Sequence, residues 1–157
     1  MIRIAVAGCG VMGRNHLRVL SSIEGAELVG VCDQSPDAVA QASEKYGVPG
    51  YESWREMLDA GRLDAMVVAV PTRFHCDIGV AALEGGVHVL VEKPIAYTLE
   101  EGQALVDAAK RAQRVLAVGH IERFNPAIRE LQRRVAAGEL GRVFHIFARR
   151  QGPFPAR

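Results

Sequence analysis

The chain has 157 residues, 49% of them hydrophobic and 24% charged, with a formal net charge of +1. That is the composition of a globular protein of one domain, or one domain with part of another, able to bury roughly 70% of its unfolded surface. It excludes a membrane-spanning helix, since no apolar run approaches about 18 residues, and a disulfide framework, since Cys9, Cys32 and Cys76 form no CxxC pair and are odd in number.

The first strand begins at Ile2 and leaves no room for a signal peptide, so reduced thiols and a cytoplasmic location are expected. The small net charge conceals an asymmetry. Residues 1–122 carry 11 Lys/Arg against 16 Asp/Glu, a balance of −5, and residues 123–157 carry 8 Arg against 2 Glu, a balance of +6. Such a shift marks a domain boundary. It does not mark a nucleic-acid face, because the arginines fall on the polar face of a helix and at a strand end without interleaved aromatics.

Ile2–Ala7 is a short apolar run with β-branched members, followed by Gly8-Cys9-Gly10-Val11-Met12-Gly13 and a periodic segment to Leu20. The order is strand, glycine turn, helix. If a dinucleotide binds here, Gly8 permits the tight turn, Gly10 lets a pyrophosphate approach the backbone, and Gly13 lets helix and strand pack closely. The turn from Gly8 to Gly13, with Cys9, Val11 and Met12 between the glycines, is therefore a candidate cofactor cradle, closed by the N–H groups of a helix N-terminus. Cys9 has the bland role of a small residue in that turn.

Glu27–Cys32 forms the second strand and ends at Asp33. Ser35 is an N-cap with Pro36 at N1, and the helix runs to Tyr46 with Gly47 as its stop. Residues 48–51 form a short third strand. Ser53 and Glu56 have capping-box spacing and open a short helix, with Trp54 as a packing residue. Ala65–Val70 is a fourth strand, apolar throughout and so buried on both faces, and Pro71 stops it. A helix follows over Phe74–Leu83. Val87–Val91 is the fifth strand, leading into Glu92-Lys93-Pro94. Thr98 and Glu101 frame a second capping box and a helix to Gln113. Val115–Val118 is the sixth strand and ends at Gly119-His120.

Phe124, Ala127, Ile128, Leu131 and Val135 then make one apolar stripe at helical spacing. Val143–Ala148 reads as a strand with Arg149 and Arg150 at its exit, and Gly152-Pro153-Phe154-Pro155 is irregular. Strand-like runs alternating with amphipathic segments predict an α/β, doubly wound parallel sheet over residues 1–121. Residues 122–157 read as the first helix and strand of a second, C-terminal α/β domain.

In a parallel sheet the strand C-termini share one edge, and ligands bind in the crevice outside it. The strand ends collected there are the glycine turn, Asp33, Pro71-Thr72-Arg73, Glu92-Lys93-Pro94 and His120. Asp33 is the expected partner of the adenosine ribose. Its carboxylate favours NAD over NADP by repelling the extra phosphate, and Gln34 beside it is not an arginine that would hold that phosphate. Lys93, at a buried strand end beside a carboxylate, is either a proton donor and acceptor or an exposed loop lysine. Pro94 fixes the turn. His75 either touches the cofactor or packs, and His120 faces the crevice. His16, His88 and His145 read as structural. No cluster has metal-ligand spacing, so no metal is expected, and no serine sits in a nucleophile elbow.

The Gly8–Gly13 turn, Asp33, the segment Pro71-Thr72-Arg73-Phe74-His75 and above all Val91-Glu92-Lys93-Pro94 resemble the glucose-fructose oxidoreductase/inositol dehydrogenase/rhizopine-catabolism oxidoreductase family, Gfo/Idh/MocA. The resemblance implies an N-terminal NAD(P)-binding Rossmann domain and a C-terminal domain with a large open sheet that binds substrate and mediates homo-oligomerisation. The implied reaction is hydride transfer between nicotinamide and a sugar or cyclitol carbon, with Lys93 near the reacting hydroxyl. Pro71, Thr72, His75, Glu92, Lys93 and Pro94 join the glycine turn and Asp33 as cofactor-side residues.

Gly119–Ala127 and Gly152–Arg157 resemble a narrower group, the UDP-N-acetylglucosamine 3-dehydrogenase-like enzymes, which implies a nucleotide-sugar substrate with His120, Arg123 and Asn125 on its side. Family members exceed 300 residues and draw a second catalytic group from the C-terminal domain. The chain is thus expected to bind cofactor while lacking full activity. The alternative is a free-standing nucleotide-sensing or interaction module that pairs through its final strand.

Overall fold

A computed structural model of the protein describes residues 1–61, 63–149 and 151–152. The chain divides into two compact units, Met1–His120 and Ile121–Arg157. The first holds strands β1 (Ile2–Ala7), β2 (Ala26–Cys32), β3 (Gly50–Tyr51), β4 (Ala65–Val68), β5 (His88–Val91) and β6 (Leu116–Val118). Its helices are α1 (Val11–Leu20), α2 (Pro36–Tyr46), α3 (Trp54–Asp59), α4 (His75–Glu84) and α5 (Leu99–Ala112), with a 3₁₀ turn over Thr72–Phe74. The six strands form one parallel sheet in the order β3-β2-β1-β4-β5-β6.

Alternation along the strands builds two cores, one on each face of the sheet. Ala5, Ala7, Met66, Val68, Val89 and Val91 pack against Met57 of α3, Ile78 and Leu83 of α4, and Leu105 and Ala108 of α5. Val6, Val31 and Val67, of opposite parity, pack against Leu17 of α1 and Ala42 of α2. The central strands are near-continuous apolar runs because both faces are covered.

Local signals set the helix limits. Ser35 accepts from the Ala38 N–H, Pro36 follows it, and Gly47 ends α2 at φ 65°. Thr98 and Glu101 form the reciprocal capping box that opens α5. At Ser53 the hydroxyl accepts from the Arg55 N–H instead, so α3 starts without the Glu56 half of the predicted box.

Three expectations need correction. β4 stops at Val68, two residues early, because Ala69 and Val70 turn away toward Pro71. The predicted helix over 74–83 is a 3₁₀ turn followed by α4 from His75. Residues 143–149 form no strand. A strand requires a hydrogen-bonding neighbour, and the described part of the second unit holds a 3₁₀ turn, Ile121–Phe124, and helix α6 (Pro126–Ala136), but no other strand. Arg150 and residues 153–157 lie outside the described residues.

α6 is capped by Asn125, whose side chain accepts from the Ala127 N–H, with Pro126 in the first turn. No helix among the described residues is long and apolar enough to cross a membrane.

Candidate functional site

One register row crosses all six strands: Tyr51, Cys32, Ala7, Val68, Val91 and Val118 are successive partners. The residue after each row member leaves the sheet on the same edge. Five of these are Asp33, Gly8, Ala69, Glu92 and Gly119. Their N–H groups close onto the row: Gly8 to Cys32 O, Asp33 to Tyr51 O, Ala69 to Ala7 O, Glu92 to Val68 O and Gly119 to Val91 O, at 2.7–3.2 Å. The strand ends read from the sequence therefore form a single line.

The glycine turn sits over the middle of that line. Gly8 adopts φ 103°, and a Cβ there would overlap the Ala69 carbonyl oxygen. A Cβ on Gly13 would overlap the carbonyl oxygen of Gly8, so this glycine is what lets α1 lie directly on the turn. Gly10 differs. A Cβ there would meet no atom of the protein within 4 Å, and its φ of −69° is ordinary. Packing gives Gly10 no reason to be glycine, whereas a ligand lying against the backbone would. Gly10 is also the N-cap of α1, with no side-chain cap and no acidic residue in the first turn, so the N–H groups of that turn remain available to an anion.

Asp33 reaches back to this turn. Its Oδ2 accepts from the Cys9 N–H at 2.6 Å and its Oδ1 from the Ser35 N–H at 3.0 Å. Each carboxylate oxygen retains a further lone pair for a hydroxyl. Burial, with Asp33 nearby, pushes the Cys9 thiol up to about 11. Burial, with Cys9 and Asp33 nearby, pushes Cys32 up to about 12. Both thiols stay protonated at neutral pH and are poor nucleophiles.

A cleft of about 320 Å³ opens beside the turn, lined by Gly8, Gly10, Asp33, Gln34, Val70 and Pro71 together with Trp54, Arg73 and Phe74. The Arg73 guanidinium lies 4.7 Å from the Phe74 ring centroid, and that of Arg55 lies 4.1 Å from the Trp54 ring. A larger cavity of about 790 Å³, lined by residues such as Arg3, Leu28, Pro49 and Tyr51, gathers residues from the starts of β1 and β2. It holds none of the strand-end residues apart from Tyr51, so volume alone does not locate the chemistry.

Beyond the cleft, the Lys93–Pro94 peptide is cis. His75 is 1% exposed, with Nδ1 3.0 Å from Pro94 O and Nε2 2.9 Å from Val70 O. The ring thus lies between the loop after β5 and the loop after β4, donating to whichever carbonyl faces its N–H, and both nitrogens are directed at protein carbonyls and not into the cleft. Glu92 is 6% exposed. Its Oε1 lies 2.8 Å from His16 Nε2 on α1, and its Oε2 accepts from the Lys93 N–H at 3.1 Å. The Lys93 side chain is exposed, and its Nζ has no hydrogen-bond or ion-pair partner among the described residues.

Thr72 lies in the 3₁₀ turn after Pro71. His120 is exposed at the end of the first unit. Arg123 and Asn125 belong to the second, where the Asn125 amide donates to Glu122 and caps α6. Sequence reasoning missed His16, Trp54 and Gly119 as residues of the site. His16 lies on the helical stripe that carries Gly13, Leu17 and Leu20, and a histidine there reads as packing. His88, read as structural, accepts from the Val115 N–H. Among the described residues no group of His, Cys, Asp or Glu is arranged to hold a metal ion.

Comparison with known proteins agrees with this geometry. Residues 2–120 match the Gfo/Idh/MocA family, described as an oxidoreductase family with an NAD-binding Rossmann fold. The chain is 35% identical to scyllo-inositol 2-dehydrogenase (NAD(+)) of Bacillus subtilis, over 99% of this chain and 46% of that protein. It is 33% identical to UDP-N-acetylglucosamine 3-dehydrogenase of Acidithiobacillus ferrooxidans, over 99% and 47%. Among solved structures, the WlbA dehydrogenase of Bordetella pertussis in complex with NADH and UDP-GlcNAcA superposes with a TM-score of 0.86 at 32% identity, covering 90% of this chain and 43% of that one. The chain spans about half the length of the curated relatives it matches. From the register row to the family match, residues 2–120 are an NAD-binding Rossmann fold, and the chain belongs to the Gfo/Idh/MocA oxidoreductases.

Proposed function

We propose that this chain is the cofactor-binding portion of an NAD-dependent dehydrogenase that moves hydride between nicotinamide and a hydroxyl or ketone carbon of a sugar, cyclitol or nucleotide sugar. Residues 1–121 hold the dinucleotide, and residues 122–157 begin a substrate and oligomerisation domain. The protein acts in the cytoplasm. The observation that carries this reading is Gly10, a glycine that packing does not require, at the uncapped start of α1 and two residues after Gly8, which lies in line with Asp33 and Glu92.

The Gly8–Gly13 turn receives the pyrophosphate on backbone N–H groups. Asp33 accepts from the adenosine ribose. Pro71, Thr72 and the Glu92-Lys93-Pro94 loop flank the nicotinamide half, with His75 fixing their two loops from beneath. When bound, NAD supplies a hydride acceptor. Lys93 Nζ would accept the proton of the reacting hydroxyl in the oxidation direction and return it in the reverse direction. The family resemblance assigns His120, Arg123 and Asn125 to the substrate side.

The names of two relatives support both a cyclitol and a nucleotide sugar as substrate class. The chain binds cofactor through residues 1–121. Of the alternative, only the half that pairs through a strand at 143–148 loses its footing, because the described residues there form no strand; a nucleotide-sensing module without catalysis stands as the second reading.

Titration calorimetry of the chain with NADH and NADPH tests the reading. NADH binds, and more tightly than NADPH. Absence of NADH binding, or a preference for NADPH, rejects it.

A further inference from the structure

Glu92 ends β5 where a reacting carboxylate would be sought, yet both of its oxygens are engaged by the protein. His16 Nε2 lies 2.8 Å from one, and the Lys93 N–H donates to the other at 3.1 Å. Gly119, just past β6, makes room for the group: a Cβ there would stand 3.1 Å from Cδ and from both oxygens. Three elements thus converge on one buried carboxylate. His16 rides on α1, the helix whose first turn closes the glycine turn through the Arg14 N–H to Gly10 O bond. The His16 bond survives in either charge state of the ring, provided Nε2 carries a proton.

We propose that His16 and Glu92 are positioning residues, a brace that fixes the Lys93 backbone relative to the glycine-turn helix and so sets where the nicotinamide half of the cofactor lies. This rests on the dinucleotide reading above. The reason lies in Lys93 itself. Its Nζ has no partner among the described residues, so the place from which it works is set by its backbone, and the Glu92 carboxylate holds that backbone N–H. Hydrogen bonds to a carboxylate are strong. Removing His16 leaves a buried carboxylate short of a partner, which favours its departure and frees the loop.

NADH and ADP-ribose share adenosine, ribose and pyrophosphate, and only NADH carries nicotinamide. Calorimetric titration of the 157-residue chain with both ligands therefore isolates the nicotinamide end. His16→Ala weakens NADH about tenfold, equal to about 1.4 kcal/mol, and leaves ADP-ribose within about twofold. His16→Gln, whose amide N–H can donate to the same oxygen, recovers most of the loss. Gly119→Ala crowds the carboxylate from the other side with His16 intact and gives the same split between ligands, which keeps the test valid if His16→Ala does not fold. Equal losses for both ligands, or none for either, overturn the brace. If the unsubstituted chain binds neither ligand, the dinucleotide reading falls and the brace falls with it.

Discussion

Gly10 and Gly13 are separated by three positions and answer to different constraints. An alanine at 13 would place its Cβ inside the Gly8 carbonyl, a backbone overlap that no rotamer relieves. Gly13→Ala is predicted to lose about 3 kcal/mol or more of folding stability. An alanine at 10 meets open space at an ordinary φ. Gly10→Ala is predicted to keep stability within about 0.5 kcal/mol while weakening NADH by tenfold or more, read by urea denaturation and calorimetry side by side. If both variants lost stability alike, the distinction between a packing glycine and a ligand glycine would fail. At this scale much was legible in the sequence. The glycine spacing and Asp33 sit where the reading put them, over one edge. What stayed hidden was pairing across distance: that Asp33 bonds the Cys9 N–H, or that His16 meets Glu92, 76 positions on. Nothing local in the sequence encodes such a meeting, and a histidine on an apolar stripe reads as packing.

At the scale of elements, the loops after β4 and β5 are joined by one ring. His75→Ala would leave the Val70 and Pro94 carbonyls without their imidazole and open a void under both loops. The predicted loss is about 2–4 kcal/mol by chemical denaturation; a change under about 0.5 kcal/mol would show that the ring ties nothing. A second link joins β1 to the approach to β4. Asp64 accepts from the Arg3 backbone and from its guanidinium, and these bonds hold its carboxyl well below the usual carboxylate range. A depressed folded-state value contributes stability above the unfolded value near 4 and loses it as pH falls below that. Asp64→Asn should therefore flatten the acid limb of a stability–pH profile, and an unchanged limb would count against the link. Both partners are substantially exposed, so solvent limits the effect. Helix limits were the most legible elements, since Ser35, Gly47 and Thr98 act within a few residues of themselves. The strand expected at 143–148 shows the opposite case: its apolar run was present, but a strand exists only with a neighbour.

At the scale of the molecule, strand order and register were not readable from the chain. The alternation of runs gave a doubly wound sheet. That Tyr51, Cys32, Ala7, Val68, Val91 and Val118 align in one row depends on pairings between segments far apart in sequence. The row matters because it brings a glycine turn, a carboxylate and a lysine loop to one edge, where a single extended ligand touches all three. The reading that NAD lies along this edge is tested most directly by a crystal structure of the chain grown with saturating NADH. The account predicts pyrophosphate on the Gly8–Gly13 turn, the adenosine ribose at Asp33 and nicotinamide beside Lys93. NADH seated instead in the larger cavity beside Arg3 and Pro49, or turned end for end so that nicotinamide meets Asp33, would contradict it.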